Sequence, residues 1–396
     1  MLFNTSIYPL FLALCVALYW IVPRTMRVYV LIIASIVFYA FNSIEYLVLL
    51  AVMATVVYIF AKKIQKNIHE GVRKKYFYIS IVSIVGLLIW FKYANLLFGG
   101  LEHFIGVPEK TWWMKIAMPL GISFFTFEFI HYLIDIYHKQ IPPHRAEDFF
   151  SFVFFFPTLA SGPIKRFQTF VHTLHENVGF SKEYFYSGCI YIVLGYAQKY
   201  LIADNLIERT AFLSTPSLAP TAGAIISGLV FYSLRIYFDF AGLSNIAIGS
   251  ALLFGIKVPI NFSYPYFRPN LAAFWRNWHM SLTSWIRDYV YMPLVFRFRN
   301  SKVSLVGGLV ITMALVGLWH GSSLNFLFFG IYHGVGLAIL QVIRMYKKKK
   351  ILHPKLSYVL GVGATFIYVT VGWGFFVTTS LHDSFLLYHR VFASLL

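Results

Sequence analysis

Two histidines are the first candidates for chemistry, since an imidazole is the group of this sequence best suited to moving a proton near neutral pH. The first is His320, in "LVGLWHGSSLNF" (315–326). From Val303 to Ile343 the chain runs 41 residues without an Asp, Glu, Lys or Arg, and the histidines of that run are His320 and His333. Polar groups inside apolar segments of such length are costly and mark functional positions. An imidazole with a pKa near 6.5 can accept a hydroxyl proton. Gly321 is expected to let the backbone bend beside His320, since irregular backbone at depth is tolerated where it lines a cavity. The second is His279, in "FWRNWHMS" (274–281), with Arg276 and Asn277 before it and Asp288 nine residues on. Its competing reading is interfacial anchoring, which Trp and Arg perform routinely. His333, in "GIYHGVG", lies among glycines that favour close helix contact, so a packing or supporting role is expected there.

Acidic residues offer further candidates. In "TFEFIHYLIDIY" (126–137), Glu128, His131 and Asp135 fall three and four residues apart, on one helical face. Such spacing can hold a metal when a second helix repeats it. No second Glu-x-x-His helix exists here, so the stripe is expected to line an aqueous cavity or bond to neighbours, and no metal is expected. Asp239, in "YFDFAGLSN", has Arg235 four residues earlier as its natural partner, giving a buried structural pair. The sequence contains no G-x-S-x-G elbow, no phosphate-binding G-x-x-x-x-G-K-[ST] loop and no H-E-x-x-H. Serine-hydrolase chemistry and nucleotide-driven transport have no visible apparatus.

These residues must be positioned by elements that live in lipid. The 396 residues are 59% hydrophobic and 12% charged, against about 25% charged in soluble domains. Apolar runs of about 18 residues or more recur, which marks an all-α polytopic membrane protein. Expected spans are 7–22, 28–41, 45–61, 77–97, 114–137, 186–203, 222–238, 240–256, 303–319, 324–343 and 357–377, about eleven crossings, with 149–163 as a shorter re-entrant segment. Residues 7–22 lack a preceding basic residue and a cleavage site, so they are expected to stay as the first span. Residues 270–300 carry Trp275, Trp278 and Trp285 with Arg276, Arg287 and Arg297, a composition suited to helices at the interface or dipping into it.

Two basic loops, 62–75 and 344–355, each hold six Lys or Arg, against one Glu and no acid respectively. Both are expected in the cytoplasm, with the N-terminus outside. The net charge of +18 therefore sets topology and meets anionic headgroups; nucleic acid is not an expected partner. Cys15 and Cys189 both lie in apolar segments, which excludes a disulfide framework.

"FWRNWHMSLTSWIRDYVYMPL" (274–294) followed by "GLWHG" (317–321) resembles the membrane-bound O-acyltransferase family, in its bacterial branch. "WFKYANLLF", "MPLGISFFTFEFIHYLIDIY", "FFPTLASGPIKRF", "KYLIADNL" and "YFDFAGLSNIAIG" extend the likeness over most of the chain. Two subfamilies compete. "FKYAN", "ADNL" and "GWGFF" resemble the alginate O-acetylation membrane protein, whereas the length, "WHMS" and the lack of "GGNR" after "YMPL" are more like the D-alanyl transfer protein of teichoic-acid D-alanylation. Acetylation is the favoured reading and D-alanyl transfer the alternative.

The resemblance implies one membrane-embedded acyltransferase domain over 1–396: N-terminal helices to 110, a core over 111–345, and a C-terminal helix and tail from 346. The helices would ring a thinned central funnel. It implies a multi-pass protein of the bacterial cytoplasmic membrane. The acyl group would come from a cytoplasmic thioester, acetyl-CoA or a phosphopantetheinyl carrier protein, with no bound cofactor. The acceptor would be a hydroxyl of an extracytoplasmic polysaccharide or teichoic-acid-like polymer. An extracytoplasmic acyltransferase-like protein or a small membrane protein would assist. The family's catalytic histidine falls on His320 and its second on His279. Trp319, Asn277, Arg276, Asp288, His333 and Asp239 would support them or line the tunnel. A non-catalytic transporter using Glu128, Asp135 and Asp239 is the remaining alternative; it predicts that His320 is dispensable.

Overall fold

A computed structural model describes residues 3, 5–105, 118–159, 162–176, 179–219, 221–298, 301–346 and 353–394. Residues 114–117 of the expected span 114–137 and Lys347–Lys350 of the second basic loop lie outside the described residues. Backbone polar groups find no partner in hydrocarbon except each other, so apolar runs of this length fold as helices. The helices are α1 (Ile7–Ile21), α2 (Arg24–Ala40), α3 (Ile44–Lys66), α4 (Glu70–Ile105), α5 (Ile122–Tyr137), α6 (Ala146–Val153), α7 (Phe156–Leu159), α8 (Phe167–Glu176) and α9 (Lys182–Tyr196). They continue with α10 (Ala222–Leu253), α11 (Leu271–Asn277), α12 (Met280–Ile286), α13 (Met292–Arg297), α14 (Lys302–His320), α15 (Leu324–Tyr346), α16 (Pro354–Val377) and α17 (Leu381–Ala393). No strand occurs among the described residues. Among the described residues six helices are long and apolar enough to cross a membrane: α3, α4 over Glu70–Ala94, α10, α14, α15 and α16. The chain is a polytopic helical membrane protein.

The expected spans 222–238 and 240–256 are one continuous helix, α10. The expected division falls at Asp239, a residue itself expected in a buried pair with Arg235. The division is unnecessary, since Lys199 Nζ meets Asp239 Oδ1 at 2.7 Å and offsets the charge in place. The expected C-terminal tail contains α17, capped by the Ser380 hydroxyl, which accepts from Asp383 N–H at 3.1 Å.

Two compact units make up the chain, Met1–Tyr196 with Leu243–Pro259, and Ala197–Gly242 with Ile260–Leu396. The first is built on aromatic packing: Tyr8, Phe38, Phe125, Phe129, Phe149 and Phe156 are fully or almost fully buried. The expected re-entrant segment resolves into the short helices α6 and α7. The first amide of α7, at Phe156, donates to the Ser35 hydroxyl of α2 at 2.9 Å, so this backbone end is satisfied inside protein. The polar face of α5 bonds to neighbours. Glu128 accepts from Lys165 Nζ at 2.7 Å with both side chains buried, Asp135 accepts from Gln168 at 2.8 Å, and His131 Nδ1 lies 3.1 Å from Phe127 O. Lys165 went unassigned in the sequence, where nothing local shows its partner 37 residues away.

The second unit is organised by a hairpin. α14 and α15 touch backbone to backbone along Gly317, Gly330 and Gly334. A Cβ on Gly317 would come within 3.0 Å of Gly330 Cα, and one on Gly334 within 2.8 Å of Val310 Cα. α15 is tied to α16 by a reciprocal pair: Tyr332 Oη donates to Tyr368 O at 2.9 Å and Tyr368 Oη to Tyr332 O at 2.6 Å, with stacked rings. The buried Asn325 donates to Phe375 O and Thr378 O at 2.9 and 2.8 Å, fixing the start of α15 against the end of α16.

Candidate active site

His279 is held at a backbone corner. It is the residue between α11 and α12, with φ 44° and ψ 55°, a left-handed conformation uncommon outside glycine. Such strain is typically of order 1–3 kcal/mol and persists where surrounding bonds over-determine it. Those bonds are present. Ser263 N–H donates to Asn277 O at 3.1 Å and Met280 N–H to Asn261 O at 2.8 Å, clamping the corner to the extended stretch before it. The side chain of Asn277 donates to Ala273 O at 2.8 Å, closing the end of α11 instead of serving the site.

Asn261 sets the chemistry of His279. Its Oδ1 accepts from Ser281 Oγ at 2.6 Å and Ser281 N–H at 3.4 Å. A backbone amide can only donate, so the atom facing it is the oxygen and not the amide nitrogen. His279 Nδ1 lies 3.3 Å from the same oxygen. It must therefore carry the proton, which leaves the lone pair on Nε2. Burial holds the His279 imidazole far below the ordinary histidine value, at about 3, and the nearby His320 pushes it the same way. His279 is thus neutral at pH 7, with an acceptor at Nε2.

Aromatic rings connect the two expected histidines. Phe240 meets His279 edge-on at 4.6 Å, Trp319 lies 6.2 Å from His279, and Trp319 stands 4.6 Å from His320. His320 is the last residue of α14 and is partly exposed, against Phe376 at 5.0 Å and Phe329 at 6.1 Å. Next to it, Gly321 has φ −167°, extended backbone open to any residue, so the bend expected of it is not what requires glycine. A Cβ there would run into the Phe326 ring. The glycine is there for close approach.

His279, Trp319 and His320 therefore come together. His333 packs behind them, wholly buried, on Phe329 at 4.7 Å and Trp275 at 5.0 Å. The other expected residues do not join this group. Arg276 is exposed, and Asp288 pairs with its neighbour Arg287 at 2.8 Å, with both side chains exposed. Asp239 pairs with Lys199, which also holds Asp204 at 2.7 Å, while Arg235 donates to Thr210 Oγ1 at 2.9 Å. The expected Arg235–Asp239 pair is replaced because Lys199 sits on a π-helical turn, Ala197–Ala203, that brings its ammonium to both acids. Among the described residues no group of three or more His, Cys, Asp or Glu is arranged to hold a metal. Asn261 and Ser281 were missed in the sequence. Asn261 lies 18 residues before His279, in a stretch with no helical period to signal the contact.

Residues 6–382 match the membrane-bound O-acyltransferase family. A probable alginate O-acetylase (AlgI) of Pseudomonas aeruginosa is 33% identical over 402 residues, covering 99% of this chain and 75% of that protein. A peptidoglycan O-acetyltransferase of Helicobacter pylori is 29% identical over 383 residues, covering 89% of this chain and 71% of that protein. A teichoic acid D-alanyltransferase of Bacillus subtilis is 32% identical over 283 residues, covering 66% and 69%. Each of these relatives is named for acyl transfer. The family match over residues 6–382, with a relative 33% identical across 99% of the chain, makes this an acyltransferase and a member of the membrane-bound O-acyltransferase family.

Proposed function

We propose that the protein transfers an acyl group, acetyl in the favoured case, from a cytoplasmic thioester to hydroxyls of an extracytoplasmic envelope polymer, working in the cytoplasmic membrane of a bacterium. The observation that carries this is the gathering of His279 and His320 around Trp319. His320, partly exposed, is the general base. It takes the proton as the hydroxyl oxygen attacks the thioester carbonyl. The C–S bond then breaks and the proton passes to the departing thiolate. General base catalysis of this kind contributes about 10² to 10⁴ in rate. His279 accepts at Nε2 and cannot donate to the thioester oxygen from that atom, so its part is to hold a donor N–H or O–H in place. Acetyl is favoured over D-alanyl because relatives named for O-acetylation match 89–99% of the chain, against 66% for the D-alanyltransferase. A donor-bearing carrier and a second envelope protein are the expected partners.

The test is ester-linked acetate and D-alanine on envelope polymers of a strain lacking this chain, complemented with wild type or His320→Ala. Acetate restored by wild type alone supports the reading. D-alanine restored instead keeps the mechanism and changes the substrate. Full restoration by His320→Ala at equal expression overturns it.

A further inference from the structure

A cleft of about 200 Å³ in the second unit is lined by residues of α11, α12, α14 and α15. Ala272, Trp275, Leu282, Ile286, Met313 and Val316 give it apolar walls. Tyr291 Oη donates to Leu305 O at 3.2 Å, which ties the π-helical turn Arg287–Tyr291 to α14 and fixes one side of the cleft. Turns of this kind recur at functional sites. Arg276 and Arg287 also line the cleft, and no acidic residue does. Arg287 Nε meets Asp288 Oδ1 at 2.8 Å, so that pair adds no net charge. Arg276 is exposed, and among the described residues it makes no hydrogen bond or ion pair. An anion therefore reaches its guanidinium without first breaking a bond. The fork of five donors on that group suits a phosphate.

α11 starts at the membrane face expected in the cytoplasm. Asn270 caps it, accepting from Ala273 N–H at 3.0 Å. The same Oδ1 accepts from Arg344 at 2.9 Å, at the end of α15 that leads into the basic loop 344–355. Arg276 belongs to this short helix and lies within about 9 Å of its start. An arginine stem can run along apolar surface while its charged end stays at headgroup level. Basic sites between membrane helices on that side suit phosphate-bearing headgroups. The volume lies below that of clefts that hold whole drug-sized ligands, about 300–1,000 Å³. It takes a length of one hydrocarbon chain, and the exposed Ile311 and Leu315 of α14 continue the apolar surface beside it. A soluble thioester donor sets amide groups next to its phosphates, and these walls would leave them unpaired. A phospholipid sets hydrocarbon there.

We propose that this cleft seats one acyl chain of an anionic phospholipid whose phosphate is held by Arg276. The test is the melting midpoint of the full chain in neutral detergent, titrated with phosphatidylglycerol or phosphatidylcholine. Phosphatidylglycerol should raise the midpoint more than phosphatidylcholine does. Arg276→Gln should raise the phosphatidylglycerol concentration required about tenfold, and Arg276→Lys, which keeps the charge, should retain most of the response. Ala272→Phe fills the cleft and leaves the arginine in place, so it should lose the response as well. Ala272→Leu fills it in part and should weaken the response, which keeps the cleft testable if the larger side chain does not fold. Glycerol 3-phosphate, an anion of the same kind without chains, should give no shift beyond sodium chloride at matched ionic strength. A phosphatidylglycerol response unchanged in Arg276→Gln overturns the proposal. So does a full response in the Ala272 variants, since the cation then acts without the cleft, and so does glycerol 3-phosphate as effective as the lipid. The midpoint shift requires no acyl transfer, so its failure leaves the roles of His279 and His320 as they stand.

Discussion

Replacing Asn261 by alanine tests the tautomer argument directly. One side-chain oxygen receives His279 Nδ1 at 3.3 Å, Ser281 Oγ at 2.6 Å and Ser281 N–H at 3.4 Å. The serine hydroxyl can rotate to another acceptor, but the ring N–H cannot. A buried donor left without a partner costs about 1–3 kcal/mol. The imidazole escapes that cost by moving its proton to Nε2, which removes the acceptor the site is proposed to use. The bond to Nδ1 is long and joins neutral groups, so its net contribution is about 1 kcal/mol. Losing it alone lowers the acyl-transfer rate about fivefold, and rotation of the loosened ring adds to this. Ser281→Ala is the control, since it removes the stronger bond to Asn261 without touching the imidazole. Acyl transfer by purified protein from a thioester to a soluble acceptor, with released thiol as readout, gives kcat for each variant. A full rate in Asn261→Ala, or an equal loss in both variants, refutes the argument.

Three further outcomes follow from other contacts. Because His279 stays neutral to about pH 3 when folded, an unfolded chain binds a proton there first as the pH falls through about 6.5. Its contribution to stability is complete above that value and declines from there towards pH 3. The melting midpoint of His279→Asn should therefore fall less steeply between pH 6.5 and 4.5 than that of wild type. Lys165→Met strands Glu128 in the interior and should destabilise by about 3–5 kcal/mol, whereas Lys165→Met/Glu128→Leu recovers most of it, as equilibrium unfolding in mixed micelles would show. Gly321→Ala should cost about 1–3 kcal/mol through overpacking against Phe326. Adding Phe326→Ala should relieve that contact and restore activity more than either single change, measured as thiol release.

The helices were legible in the sequence because lipid leaves an apolar run almost no other structure. His320 was legible because an imidazole stands out in such a run, whereas His279, beside Arg276 and Asn277, was legible through the likeness of "FWRNWHMS" to the family. Asp239 misled as to its partner: Arg235, four residues earlier on the same helix, is the natural choice, while Lys199 lies 40 residues away on a π-helical turn that carries no sequence pattern. Asn261 was hidden for a related reason. Its role depends on a left-handed corner at His279 and on which atom faces Ser281, and neither follows from residue type. Gly321 was read as freedom to bend, but the structure uses it for its lack of a side chain, the close contact that was expected of the glycines around His333 and that Gly330 makes with α14.

That glycine seam has a consequence for how the protein can be recombined. With Gly317 against Gly330 and Gly334 against Val310, α14 and α15 interlock without side chains that could repack around a mismatch. The two helices are therefore exchanged together or not at all. A chimaera with a related acyltransferase should tolerate joints before Lys302 and after Tyr346, carrying His320 and His333 over as one cassette. A joint in the turn at Ser322 and Ser323 pairs two halves of different origin, and the histidine then arrives on a hairpin that no longer closes.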